Sequence, residues 1–283
     1  MDEIENNDVN ASQNFAYIPM TSIASNVFQK FTRDISFLTV QIVNVIFIEK
    51  ANGTFVLVDA GMPRSENAIL DTVSENFGPA AKPEAIILTH AHFDHIGALE
   101  ALCTRWDVPV YAHREELPYL TGQKNYPPPD GSVEGGLVAK MAPLFPNEGI
   151  DLQEKVQPLP EDGTVPHLPE WQWIHTPGHT DGHISLFRKK TRTLIAGDAF
   201  VTVRQDKLLN VLTQKQEITG PPRYFTTDWH RAKESVKKLA SLAPNEAITG
   251  HGMPMYGDAL TKGLYQLAES FDEQAKPDYG KYV

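Results

Sequence analysis

The hexapeptide "HAHFDH", residues 90–95, directly follows the apolar run "AIILT" and directly precedes a helical pattern of apolar residues. No other feature of the chain constrains its fold as much. Successive side chains of a strand alternate between faces. His90, His92, Asp94 and His95 can therefore converge only where the strand has stopped at Thr89, in a loop at the edge of a sheet. Desolvation and like charge make four such groups unfavourable together without a cation. Imidazole nitrogens and a carboxylate are good ligands for a borderline ion such as zinc. The competing reading is a polar turn in which the histidines coincide by chance.

Three further candidates lie downstream in "HTPGHTDGH", "AGDAF" and "TGHG". They are His179, Asp198 and His251, each at a strand end beside glycine, which lets backbone approach a crowded site closely. The motifs HxHxDH, TPGHTxGH, GD and GH, in that order, resemble those of the metallo-β-lactamase fold superfamily from about Asn44 to Gly252. That resemblance implies an α+β fold, a four-layer αβ/βα sandwich in which two mixed β-sheets pack face to face with helices outside. It also implies two divalent metal ions, zinc before iron or manganese. His90, His92 and His179 would hold the first, Asp94, His95 and His251 the second, and Asp198 would bridge both. Asp59, ending "FVLVDAG", matches an aspartate that supports the metal loop from behind; on local grounds it reads equally as a turn residue. His183 matches a supporting position rather than a ligand.

Two divalent cations bring four positive charges, against three negative ones from Asp94, Asp198 and one hydroxide, and the five histidines are neutral ligands. The residual positive charge suits polarisation of a carbonyl, and water on such a metal ionises with a pKa of about 7. The expected reaction is attack of a shared hydroxide on a polarised carbonyl, with Asp94 as the catalytic residue that orients the nucleophile or carries a proton to the leaving group.

Fold alone settles little about substrate. Asp198 speaks against the zinc β-lactamases that resemble this pattern, some of which carry cysteine there, and His92 against flavodiiron oxidoreductases, which carry glutamate. Carbonyl hydrolases of the lactonase and glyoxalase II-like branches share the ligand set. A lactone is therefore the first expectation and a thioester the second. Val201 stands where the compared lactonases carry tyrosine, and the basic glutathione-binding residues of glyoxalase II have no counterpart in the C-terminal tail. The alternatives are a mononuclear iron persulfide dioxygenase and, next, a β-lactamase or phosphodiester hydrolase of the same superfamily.

A formal charge of −11 argues against nucleic acid and anionic membrane as partners, since both need basic patches. A small-molecule substrate and a homodimer are the partners expected. Cys103 is the only cysteine, so no disulfide forms within the chain. It lies on an apolar helical face, as a buried inert thiol would. The polar, acidic N-terminus lacks the regions of a secretory signal, which predicts a cytoplasmic protein.

The patterning predicts one domain over residues 1–283, with a flexible segment at 1–20. "FLTVQIVNVIFIE" and "TFVLVDA" read as strands flanking an Asn52-Gly53 turn. A helix follows with Ser65 as cap and Gly78 as its close. Ile96, Leu99, Leu102 and Trp106 form one stripe of a helix after the metal motif. "ISLF" and "TRTLIA" pair across the basic turn "RKKTR", a threonine caps the helix in "TTDWHRAKESVKKLASL", and "YGDALTKGLYQLAESFDEQ" is a final helix. Residues 114–166 are Pro-rich and mostly irregular, with a weak helical patch at "GLVAKMAPLF". Tyr119, Tyr126, Leu144 and Phe145 in this insertion suit a cap over the metal cleft or a dimer contact, because apolar groups on a loop need burial. His113, His167, His175 and His230 read as packing or surface histidines, and Arg223 and Tyr224 as loop residues.

Overall fold

The computed structural model describes residues 21–205 and 207–283; the segment 1–20 lies outside the described residues. Chain order builds a seven-stranded sheet from β1 (Val27–Lys30), β2 (Ile35–Val40), β3 (Val43–Glu49), β4 (Phe55–Val58), β5 (Ile86–Ile87), β6 (Val110–Ala112) and β7 (Val156–Pro158). Its first four strands pair antiparallel and the rest parallel. The second sheet has the order β15-β14-β11-β10-β9-β8, from β8 (Thr164–Val165), β9 (Leu168–His175), β10 (Ile184–Arg188), β11 (Thr193–Ile195), β14 (Glu246–Ile248) and β15 (Met255–Tyr256). A separate ribbon joins β12 (Val201–Val203) to β13 (Gln216–Thr219).

Period-two patterning explains the layers. Ile35, Phe37, Ile46, Ile48, Val56, Val58 and Ile87 pack against Leu168, Trp171, Ile184, Leu186, Ile195 and Ile248 of the second sheet. The alternate residues Leu38, Val45, Phe47, Phe55, Leu57 and Ile86 face outward onto α1 (Glu66–Phe77) and α3 (Leu99–Trp106). On the far side Phe187, Leu194 and Ala247 meet α7 (Trp229–Ser241), α8 (Gly257–Glu269) and α9 (Phe271–Gln274). Two mixed sheets thus stack face to face with helices outside both.

Local signals explain most of the elements, with four differences. The run "FLTVQIVNVIFIE" is two strands, because Gln41 adopts φ 58° and closes a hairpin inside it. Ser65 does not cap α1: its buried hydroxyl donates to the Met62 carbonyl at 2.6 Å. The stripe Ile96, Leu99, Leu102 and Trp106 is buried, but its helix breaks between α2 (Phe93–Ile96) and α3. The cap of α7 is Asp228 rather than a threonine, its carboxylate accepting from Arg231 N at 2.9 Å.

Residues 114–166 hold more regular structure than their prolines suggest, with α4 (Leu117–Leu120), α5 (Gly136–Met141) and the strands β7 and β8. Short edge strands tolerate such composition because one side needs no ladder partner. Val133, Val138, Ala139 and Ala142 of this segment cluster with Ile42, Tyr224 and Phe225, and with Val211 of α6 (Leu208–Thr213). No helix among the described residues is long and apolar enough to cross a membrane.

Candidate metal centre

Four loops leave strand ends along one edge of the stacked sheets and meet there. The loop after β5 carries His90 to His95, that between β9 and β10 carries His179 and His183, that after β11 carries Asp198, and that after β14 carries His251. Their closeness depends on small residues: a Cβ on Gly250 would lie 2.1 Å from Asp198 Oδ1. Asn44 ties the His251 turn to β3, its Nδ2 donating to the carbonyls of Thr249 at 3.0 Å and Gly252 at 2.7 Å.

Asp59 sits at φ 61°, a left-handed conformation unusual for aspartate. The reason is visible in its carboxylate, which accepts Thr89 N–H, the Thr89 hydroxyl and His95 Nδ1–H, each at 2.8 Å. The Thr89 hydroxyl spends its single proton on Asp59, so His90 Nδ1–H, 3.1 Å away, donates to it. By the same logic the Thr226 hydroxyl donates to Pro222 O at 2.8 Å and accepts from His179 Nδ1–H at 3.1 Å. His251 Nδ1–H donates to Ile42 O at 3.0 Å. The outer nitrogen of each of these four rings is committed as a donor, so Nε2 is the atom each ring directs inward, a lone pair whenever the ring is neutral.

Inside, the groups stand 3.0–3.7 Å apart, most of them farther than a charge-assisted hydrogen bond of about 2.7–2.9 Å. Asp198 Oδ2 is 3.6 Å from His95 Nε2, 3.7 Å from His179 Nε2 and 3.2 Å from His251 Nε2. His251 Nε2 is 3.3 Å from Asp94 Oδ2, and His92 Nδ1 is 3.0 Å from His179 Nε2. Ligands at about 2.0–2.2 Å from a tetrahedral ion stand roughly 3.3–3.6 Å apart. The donor atoms fall into overlapping groups, His90/His92/His179, His90/His95/Asp198 and Asp94/His95/His251, each within 4.8 Å. His90 Nε2, His95 Nε2 and Asp198 Oδ1 are buried without a hydrogen-bond partner, an arrangement that leaving acceptors dry disfavours and a cation relieves. The donor set fits divalent metal ions.

Electrostatics divides the site in two. Burial, with repulsion from neighbouring imidazoles, holds His90 and His179 well below the usual histidine range and His92 at about 4. These rings are neutral at pH 7. Burial opposes protonation of His95 and His251 too, but Asp198 and Asp59 raise the first well above its usual range, and Asp198 and Asp94 raise the second to about 10. The same pairs hold Asp94 and Asp198 low against the upward push of burial. On this side protons occupy the role a cation would fill.

His183 is placed differently. Its Nε2 accepts the Asp198 backbone N–H at 2.8 Å and its Nδ1 meets Thr176 Oγ1 at 2.9 Å, so both nitrogens are used and the ring holds the Asp198 loop. Burial depresses it to about 3. Cys103 is buried, and burial pushes its thiol up to about 11.

Three contributors have no strong sequence signal. Thr226 orients His179 from a loop read as a helix approach. Phe225 lies against His92, with ring centroids 4.7 Å apart. Glu116, fully buried, reaches both metal-motif loops from the Pro-rich segment. Its position just past β6, at the edge where those loops emerge, is the one clue the sequence offers. Tyr126 of the same segment lies 4.5 Å from the His92 ring, and Phe145 stacks on Phe93 at 5.8 Å, while Leu144 is exposed.

His113, Glu115 and His175 form another group of potential ligands. The two rings stack at 4.3 Å and 17°, so their in-plane lone pairs run parallel instead of converging, and His175 Nε2 already meets Asp181 O at 2.8 Å. His167 meets Glu84 at 3.1 Å. Arg223 bonds Ala275 O at 3.0 Å and pairs with Glu134 at 3.1 Å, away from the imidazoles.

Residues 38–251 match the metallo-beta-lactamase superfamily. A Bacillus subtilis (strain 168) protein named "Probable metallo-hydrolase YflN" is 52% identical over 254 residues, 89% of this chain and 96% of its own length. The solved structure of TTHA1623 in a di-iron-bound form is 29% identical, with a TM-score of 0.52 over 76% of this chain and 89% of that one. A more distant relative, the hydroxyacylglutathione hydrolase of Bdellovibrio bacteriovorus, is 28% identical over 72% of this chain and 61% of its own length.

Proposed function

Because the chain belongs to the metallo-beta-lactamase superfamily, we propose that it is a cytoplasmic dinuclear metallohydrolase that cleaves a small ester-like carbonyl bond, a lactone first and a thioester second. His90, His92 and His179 would hold one ion, Asp94, His95 and His251 the other, and Asp198 would lie between them. Zinc suits the imidazole-rich set. Iron is the alternative, which the di-iron form of TTHA1623 supports.

One observation carries this reading: the outer nitrogens of His90, His95, His179 and His251 are all engaged as donors, so four inward Nε2 atoms share one buried cluster with Asp94 and Asp198. When bound, the ions supply Lewis acidity and lower the pKa of water. The chain does the rest. Asp94 is anionic, 7% exposed and within 3.3 Å of His251, placed to orient a nucleophile and to take up its proton for the leaving group. Phe93, Phe145, Tyr224 and Phe225 form an aromatic cluster beside His92, suited to the apolar part of a small acyl or lactone substrate. The hydroxyacylglutathione hydrolase relative supports the thioester as second substrate class.

The test is purification without added metal, elemental analysis, and a panel of lactones, thioesters, aryl esters and β-lactams. Two ions per chain with lactone turnover is expected, and His90→Ala should lose full loading and turnover together. One iron per chain with oxygen uptake would replace hydrolysis with the dioxygenase reading. Full loading and turnover in His90→Ala would overturn the ligand assignment.

A further inference from the structure

The superfamily motifs leave one buried charge of this molecule unexplained. Glu116 is fully buried and stands in the Pro-rich segment, outside every ligand motif. Each of its carboxylate oxygens serves a different loop. Oε2 accepts the backbone N–H of Ala91 at 3.0 Å, between His90 and His92, and the hydroxyl of Tyr126. Oε1 accepts the Thr180 hydroxyl at 2.6 Å and Gly182 N–H at 3.0 Å, which flank the turn just after His179. Four donors face it, so only the ionised form satisfies them all; an acid proton would point at a donor.

A second observation is independent of the hydrogen bonds. A Cβ on Gly182 would lie 2.7 Å from Glu116 Cγ and Oε1, so the "TDGH" turn has room for this carboxylate only because glycine stands there. Among the described residues no Lys or Arg offsets Glu116, and burial pushes its carboxyl above the usual carboxylate range while the four hydrogen bonds hold it down. A buried charge without a counter-charge is strongly unfavourable. His90, His92 and His179 on the two loops it joins are neutral, so the counter-charge would be the cation those rings hold.

We infer that Glu116 is the positioning residue of the His90/His92/His179 half of the centre: one rigid carboxylate fixes the distance between the His90–His92 loop and the His179 loop and supplies a buried counter-charge to the cation they hold. The inference rests on the metal reading above. Asp59 serves His95 of the other half directly and reaches His90 only through the Thr89 hydroxyl, whereas Glu116 touches only the His90–His92 and His179 loops, so the first half can be weakened alone through Glu116. Tyr126 links the Pro-rich segment to the same carboxylate, which makes the geometry of this half depend on that segment.

Glu116→Gln tests it, because an amide can accept on one oxygen only and turns its NH2 toward a donor on the other side. Wild-type and variant holoenzyme are titrated with a competing chelator, and Co2+-loaded samples are followed by visible absorption. The expected result is a roughly ten- to hundredfold loss of affinity for one metal equivalent, the usual effect of removing an outer partner. The other equivalent should keep its affinity and only part of the Co2+ spectrum should change. Thr180→Ala and Tyr126→Phe, each deleting one donor, should shift the same equivalent by less and serve if Glu116→Gln does not fold. Equal weakening of both equivalents, or wild-type binding in folded variants, would overturn the positioning role. Failure of the wild type to bind two ions would instead sink the metal reading itself.

Discussion

Asp59→Asn isolates how the chain prepares ligands before any ion arrives. Asp59 accepts three hydrogen bonds of 2.8 Å, from Thr89 N, Thr89 Oγ1 and His95 Nδ1. Asparagine fills the same volume but accepts on one atom only. With its oxygen on the Thr89 amide, its NH2 faces both His95 Nδ1 and the Thr89 hydroxyl. His95 must then carry its proton on Nε2, inside the site. The hydroxyl, now accepting from the amide, donates to His90 Nδ1, 3.1 Å away, and moves that proton inward as well. Both rings then hold a proton on the nitrogen that an ion would need. Binding an ion then leaves His95 Nδ1–H without the charged acceptor it has in the wild type, a loss of about 1.5–3 kcal/mol. At about 1.4 kcal/mol per decade this is roughly ten- to hundredfold in metal affinity. Competition with a chelator measures it, with near-UV circular dichroism to confirm folding. Wild-type affinity in a folded Asp59→Asn protein would refute the tautomer argument.

Three further outcomes follow from the same geometry. Metal loading at pH 7 should release one to two protons, those held by His95 and His251, and calorimetry in buffers of different ionisation enthalpy reads the number; no release would contradict the electrostatics. His251 is raised to about 10 in the folded chain from about 6.5 when unfolded. Its contribution is complete below about pH 6.5 and lost as pH climbs toward 10, so the Tm of metal-free protein should fall across that window while loaded protein is less affected. A flat profile would contradict this. Phe145→Ala should leave metal content unchanged and raise KM for substrates with an apolar tail, since one wall of such a pocket is worth about 1–3 kcal/mol; unchanged KM across a substrate series would remove the aromatic cluster from substrate binding.

The layers were legible because they depend on local patterning. The continuous apolar run "FVLV" declares a strand buried on both faces, and the stripe from Ile96 to Trp106 declares the buried side of a helix. His90, His92, Asp94 and His95 crowd into a single hexapeptide, and His179, Asp198 and His251 each sit beside a glycine. The partners that prepare those ligands were not legible, because each acts across a long stretch of chain. His251 is held by Ile42 O from 209 positions away and His179 by Thr226 from 47. Their hydrogen bonds exist only once the sheets have stacked. Glu115 and Glu116 are neighbours with the same side chain, yet one is exposed and the other fully buried, because only the tertiary fold brings Ala91 and Gly182 to Glu116. The Ser65 and Thr caps failed because the hydroxyls are engaged elsewhere, Ser65 on the Met62 carbonyl three residues back and Thr226 with Pro222 O and the distant His179.

Seven side chains meet at one sheet edge, and the proposal is that they hold two ions. Anomalous diffraction from crystals of protein purified without added metal tests it most directly. Two peaks are predicted, one within bonding distance of His90, His92 and His179, the other within bonding distance of Asp94, His95 and His251, with Asp198 reaching both. An anomalous map without peaks among these residues, in protein that still hydrolyses its substrate, would contradict it.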